Sequence, residues 1–277
     1  MSGFSGAWLT LREPADHRSR NTELAEALSA RFTLRDSITV TDIGCGTGSN
    51  LRATAALLPT KQNWTLVDYD PGLLGTAREE LCRWADETRT VGEALELIKG
   101  PARISVSFRQ ADLAIDLEAG LGEPNELITA AAFFDLASEA FIRKFAQAVA
   151  ARNAVFYTVL TYNGRCRWHP HHPEDNAVTS AFHRHQMTNK GLGISLGPTA
   201  PMYLSDQFKL AGYSVQEGDS PWQLEAQDEA LLAEVQAGHQ SAVAETGAVE
   251  QAALKSWASR KLTGAVIGHS DTLAMPV

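Results

Sequence analysis

Between residues 37 and 160, short β-branched runs alternate with helix-patterned stretches, and this alternation restricts the fold more than any other feature of the chain. "SITVTDIG", "NWTLVDYD", "ARISVSFRQAD", "NELITAAAFFD" and "NAVFYTVLTY" read as five strands. "SNLRATAALLP" reads as a helix stopped by Pro59. Pro71 opens a second helix with Leu73, Leu74, Ala77 and Leu81 on one face, expected to run with a break to Lys99, and "SEAFIRKFAQAVAAR" is a third. Strands joined through helices pair in parallel, with the crossovers packed on the sheet.

Before this core, "NTELAEALSARF" spaces Leu24, Leu28 and Phe32 by fours behind the capping types Asn21 and Thr22. After it, "NGRCRWHPHHPED" reads as a loop or hairpin, "NAVTSAFHRHQM" as helical, and "NKGLGISLGPTAP" as a glycine-rich loop in which Lys190 with Gly191, Gly193 and Gly197 either binds an acidic acceptor or, on the simpler reading, is merely flexible. A helix near 201–211, a strand near 213–217, helices over 226–262 and a strand in "GAVIGHSDTLAMP" complete the chain. The expectation is an α/β fold, doubly wound, with a mostly parallel seven-stranded sheet and helices on both faces. To this are added an N-terminal helical cap (1–35) and an insertion after strand 5 (161–212). Residues 36–160 would form the core, and 213–277 would complete the same domain.

Of 277 residues, 44% are hydrophobic, enough for a substantial core. A formal charge of -9 argues against a sequence-independent grip on nucleic acid, because phosphate contacts need a basic field. Cys45, Cys82 and Cys166 are too scattered for a disulfide framework or a zinc knuckle, and no apolar run reaches membrane-spanning length. A cytoplasmic protein without a membrane partner is the simplest expectation. Oligomeric state stays open, with a homodimer as one option.

Function turns on "TDIGCGTGSN", residues 41–50. Gly44, Gly46 and Gly48 serve either a tight turn or a ligand that must approach the backbone closely. The dinucleotide fingerprint needs its third glycine three residues after the second, where this chain has Ser49. Instead Asp42 to Gly48 resembles the first motif of the class I S-adenosylmethionine-dependent methyltransferases, an acid followed by G-x-G-x-G. Asp68 in "TLVDYDPGLL" matches the family's ribose-binding acid, with Asp70 as a less favoured second, and Asp112 in "FRQADLA" matches the acid beside adenine. The resemblance implies a donor site of Asp42, Gly44, Cys45, Gly46, Gly48, Asp68, Tyr69, Asp112 and Leu113, with S-adenosylmethionine as cofactor and S-adenosylhomocysteine as product. It also implies a basic residue ahead of strand 1 for the donor's carboxylate. Arg12, Arg18 and Arg20 all qualify, and Arg18 is placed in the expected site.

"TAAAFFDLAS" lacks the Asn/Asp-Pro-Pro-Tyr quartet of many amino-group methyltransferases, which argues against N-methylation of a nucleic-acid base or a protein glutamine without identifying the acceptor; the expectation is a small molecule, methylated at oxygen sooner than at nitrogen. Asp135, at the end of the fourth strand, could face it or cap a helix. Five of the eight histidines fall in 169–185, and His169, His171 and His172 are the expected acceptor-side base candidates. Surface packing explains them as readily, and their spacing matches no metal signature, so no metal is expected. Two alternatives stay open: a non-methyl transferase of the same fold, such as an aminopropyl transferase, and a sensor that binds the cofactor without turnover.

Overall fold

A computed structural model describes residues 4–277. In chain order its elements are α1 (Gly6–Ser19), α2 (Thr22–Phe32), β1 (Ser37–Ile43), α3 (Ser49–Thr54), β2 (Lys61–Asp68), α4 (Pro71–Trp84), β3 (Glu87–Val91), β4 (Ala94–Lys99), β5 (Ala102–Gln110), α5 (Leu117–Leu121), β6 (Leu127–Ala131), α6 (Glu139–Ala151), β7 (Val155–His169), α7 (Asp175–Gln186), α8 (Ala200–Leu210), β8 (Tyr213–Asp219), β9 (Trp222–Leu224), α9 (Glu229–Thr246), α10 (Gln251–Ser259) and β10 (Gly264–Pro276).

The strands form one sheet in the order β3-β4-β5-β2-β1-β6-β7-β10-β8, with β9 on β10. From β5 to β7 every pairing is parallel, whereas β10 runs antiparallel to both β7 and β8. The order reverses at β1: β2 lies on one side and β6 on the other. Crevices at such switch points are where open α/β sheets bind ligands.

The sheet has ten strands rather than seven: the hairpin β3–β4 adds two and β9 one, and β7 is longer than expected. The expected helix to Lys99 ends at Trp84, and residues 87–99 form the hairpin β3–β4. Gly92 supplies its turn at φ 59, and Leu95 and Leu97 alternate into the core where β4 pairs with β5. A period of two wins there over good helix formers, because pairing buries both leucines. Residues 163–169, expected as a loop or hairpin, prolong β7 and pair with β10, and β9 adds a third edge element.

Caps fall where the residue types suggest. Asn21 accepts the Leu24 N–H at 3.0 Å, Asp70 accepts that of Gly72 at 2.7 Å, and Ser138 that of Phe141 at 3.3 Å. Leu24, Leu28 and Phe32 of α2 are buried as their spacing requires. On the other face, Phe134, Phe145, Phe156 and Phe208 make edge and stacked contacts at centroid separations of 4.6–6.3 Å. One buried carboxylate ties distant segments together: Asp271 on β10 accepts the N–H of Asn21 at 2.8 Å, the N–H of Leu160 at 2.7 Å and the Ser220 hydroxyl. Burial still raises its pKa.

Candidate functional site

A cavity of about 320 Å³ opens at the carboxyl ends of β1, β2, β5 and β6, with α1 over it. Its floor is the turn after β1, where Gly44 and Gly46 take φ of 60° and 53°. An added Cβ would come within 2.5 Å of the Phe133 ring at Gly44 and 3.0 Å of Leu9 at Gly46. The turn therefore needs glycine twice over, for its left-handed backbone and for close approach. What approaches in this structure is the chain's own Phe133 and Leu9, both of which also line the cavity.

Asp68 stands at the end of β2 on the cavity wall and accepts the Gly46 N–H at 2.9 Å and the Asp70 N–H at 3.0 Å. Burial raises its pKa, and those two backbone donors oppose the rise. Each oxygen keeps further lone-pair capacity. Asp42 lies behind the turn instead of on the cavity. It is fully buried, its Oδ1 accepts from the Asn50 amide at 2.8 Å, and its Oδ2 has no partner among the described residues. Burial pushes its pKa up to about 7, with Asn50 opposing. Asn50 in turn faces the cavity and accepts from Arg20 Nη2 at 3.0 Å, so Asp42 acts on the site through Asn50 and Arg20.

The remaining expected residues divide. Cys45 and Tyr69 line the cavity, and burial pushes the Cys45 thiol well above its usual pKa. Leu113 lines it beside Ala111, but Asp112 between them does not, its Oδ1 capping the Ala114 N–H at 2.9 Å. Gly48 precedes α3 and packs toward Ala77 and Leu66. Arg18 turns away to pair with Asp228 at 2.7 Å. Arg12 and Arg20 are the arginines on the cavity: Arg12 pairs with Asp16 at 2.8 Å, while Arg20 donates to Thr54 at 3.0 Å and keeps a buried Nε without a partner among the described residues.

His169, His171 and His172 are not on the cavity. Leu160 of β7 lines it, and His169 lies nine residues farther along that strand, a rise of about 30 Å. His169 and His171 are exposed, and His172 reaches Ser256 of α10 at 3.3 Å. Asp135 lies in a short 3-10 turn between the cavity-lining Phe133 and Leu136 but behind the wall instead of on it; it is buried, with its pKa raised to about 6 by desolvation against the pull of Arg12. Nearby, Tyr162 meets His183 Nε2 at 3.0 Å and Cys166 Sγ at 3.1 Å, and buried His269 sits against Trp222 and Tyr162 with its pKa lowered to about 3 by burial.

Lys190 and Leu192, from the glycine-rich stretch that the sequence offers either as an acceptor-binding or as a flexible loop, complete the cavity wall. Their loop is tied rather than loose. Leu192 bridges in parallel to Ala137 and accepts the Ser138 N–H at 3.2 Å, while the Ser195 N–H reaches the Thr188 carbonyl at 3.2 Å. Two positive-φ non-glycines, Ala132 (51°) and Leu160 (60°), also line the cavity, and Leu160 is held there by Asp271. Such backbone persists where the surroundings over-determine it.

No family model matches the chain, and neither does any curated protein. Solved structures do. A cyclopropane-fatty-acyl-phospholipid synthase-like protein from Lactobacillus casei superposes with a TM-score of 0.56 at 14% identity, covering 99% of this chain and 94% of that one. A candidate methyltransferase from Bacillus halodurans gives 0.52 at 11% identity over 93% and 100% of the two chains. The cyclopropane synthase MmaA2 from Mycobacterium tuberculosis gives 0.50 at 14% identity over 91% and 83%. The chain has the fold of the class I S-adenosylmethionine-dependent methyltransferases.

Proposed function

We propose that the protein is an S-adenosylmethionine-dependent methyltransferase for a small-molecule acceptor, methylating oxygen rather than nitrogen. The observation that carries this reading is the Asp68 carboxylate, standing on a cavity at the switch point of this fold and braced against a left-handed glycine turn. The residues present fit the donor. Arg20 has a buried Nε in want of an acceptor, suited to a carboxylate. Asp68 can accept two hydroxyls, and Ala111 and Leu113 offer an apolar surface to a base.

When bound, S-adenosylmethionine supplies an electrophilic methyl group on a sulfonium. The chain's part is then alignment and exclusion of water, for which Leu136, Leu160 and Leu192 form one wall. The proton acceptor we assign is Asp135, a carboxylate buried just behind the wall between Phe133 and Leu136. With a pKa near 6 it is mostly ionised at neutral pH yet basic enough to accept a hydroxyl proton as the acceptor oxygen is methylated. An O–H acceptor needs a base and a free amine does not, so a carboxylate serving in this role goes with methylation at oxygen.

Mass spectrometry of ligand co-purified with the protein, with calorimetric titration of S-adenosylmethionine and NAD, tests the donor. Binding of the former alone is expected. Binding of NAD alone would overturn the reading.

A further inference from the structure

Lys190 stands on two walls at once. One faces the cavity, and the other faces an open groove of about 730 Å³ between the end of α7, the 188–191 loop and the end of α9. In that groove Arg184 and Lys190 have no carboxylate partner among the described residues. The acid present, Glu245, is engaged by His185 at 3.0 Å. Lys190 rests against the His185 ring at 3.4 Å, a neighbour that positions its ammonium without neutralising it. Arg184 lies in the last turn of α7, where a positive charge complements the helix dipole. That accounts for a cation at this position but not for its convergence with Lys190 on a concave polar surface. In a chain with a formal charge of -9, two unpaired cations in one groove form a local reversal of sign.

The loop presenting Lys190 is fixed from both sides. Gly191 donates to Asn189 Oδ1 at 2.8 Å, and Leu192 is paired with Ala137, two residues after Asp135. Lys190 therefore overlooks the end of the cavity nearest the proposed base, and part of its stem is removed from water, which lowers its pKa. Glu245 across the groove opposes that fall without contacting the ammonium, so a partly desolvated Lys190 without a direct ion pair still gains from an anion delivered by a ligand.

We propose that the methyl acceptor carries an anionic group, a carboxylate or a phosphate, bound in this groove by Lys190 and Arg184 while its hydroxyl reaches past Leu192 into the cavity. The proposal rests on the methyltransferase reading for the word acceptor, but the groove can be tested without it. Inorganic phosphate and acetate, titrated separately into the isotopically labelled protein, should shift the backbone amide resonances of residues 184–191 saturably. Whichever anion binds more tightly identifies the group. Arg184→Gln should weaken that binding about tenfold, the scale of one charge-assisted hydrogen bond, and leave S-adenosylmethionine affinity unchanged. Lys190→Gln should weaken it at least as much, and Glu245→Gln should strengthen it. Absence of saturable shifts with both anions, or equal affinity in wild type, Arg184→Gln and Lys190→Gln, overturns the proposal. Saturable anion binding in a protein that does not bind S-adenosylmethionine would keep the groove and remove the methyltransferase reading.

Discussion

The two halves of β7 are built under different rules. Residues 155–162 are buried without interruption, with β6 on one side up to Val159 and β10 on the other from Phe156 onward. Residues 163–169 have β10 alone beside them, and only Trp168 of the seven is buried. The cavity forms at the junction, where β1 and β6 have ended and β7 continues, leaving Leu160 exposed to a space instead of a neighbouring strand. The lesson is that a chemically rich segment need not be a site: the imidazoles of 169–172 lie on the sparsely flanked half, and the cavity lies where packing stops on the dense one.

Gly46→Val should break the cavity side of this contrast, the near half, most severely. A β-branched side chain at φ 53, facing Leu9 at 3.0 Å, disfavours the turn and fills the cavity floor, so S-adenosylmethionine binding should be lost by calorimetry. A folded variant with wild-type affinity would reduce the glycines to an ordinary turn.

Asp135→Asn probes the same half through its charge. The folded pKa is raised from 3.8 to about 6, so the native state holds the proton more tightly than the unfolded chain does. The associated stability is present below pH 3.8 and is lost as pH rises through 6. Asparagine, which never ionises, should stabilise the protein above pH 6 by up to about 3 kcal/mol in denaturant melts while abolishing turnover. Wild-type turnover should gain an acid limb near pH 6. An active Asp135→Asn enzyme with an unchanged pH profile would move the base elsewhere.

Asp68→Ala should weaken S-adenosylmethionine by about 1.5–3 kcal/mol, the scale of a hydrogen bond to a charged group. Unaltered affinity would take Asp68 out of the donor site. The smallest effect belongs to the far half: His169, His171 and His172 replaced together by glutamine should leave donor affinity and melting temperature near wild type, because two are exposed and none reaches the cavity. A turnover loss with a shifted pH profile in this variant would return these histidines to the chemistry and undo the contrast between the halves.

The near half was legible because its signals are local. A glycine turn after a strand and an acid after the next strand need only a few residues each, and both Gly46 and Asp68 stand on the cavity. Choosing among Arg12, Arg18 and Arg20 was not local, since it depends on where α1 ends and which way its residues face, and Arg18 faces Asp228. Lys190 reaches the site through a bridge between residues 137 and 192, a pairing that no periodicity announces. Asn50 stood within the quoted motif, but its role between Asp42 and Arg20 emerges only when β1 and α1 are brought together. The hairpin at 87–99 misled for the opposite reason: its local propensity is helical, and pairing with β5 decides the matter.

The Asp271 clasp also has a meaning for how the chain is made. It joins Asn21 to a residue 250 positions later, and it holds Leu160 in the backbone conformation that shapes the cavity wall. Contacts of such separation close late, after the loop entropy has been met by the rest of the sheet. On the ribosome the glycine turn and Asp68 emerge long before β10, so a nascent chain would display both without a finished cavity, whose wall at Leu160 is set only as the final strand inserts between β7 and β8.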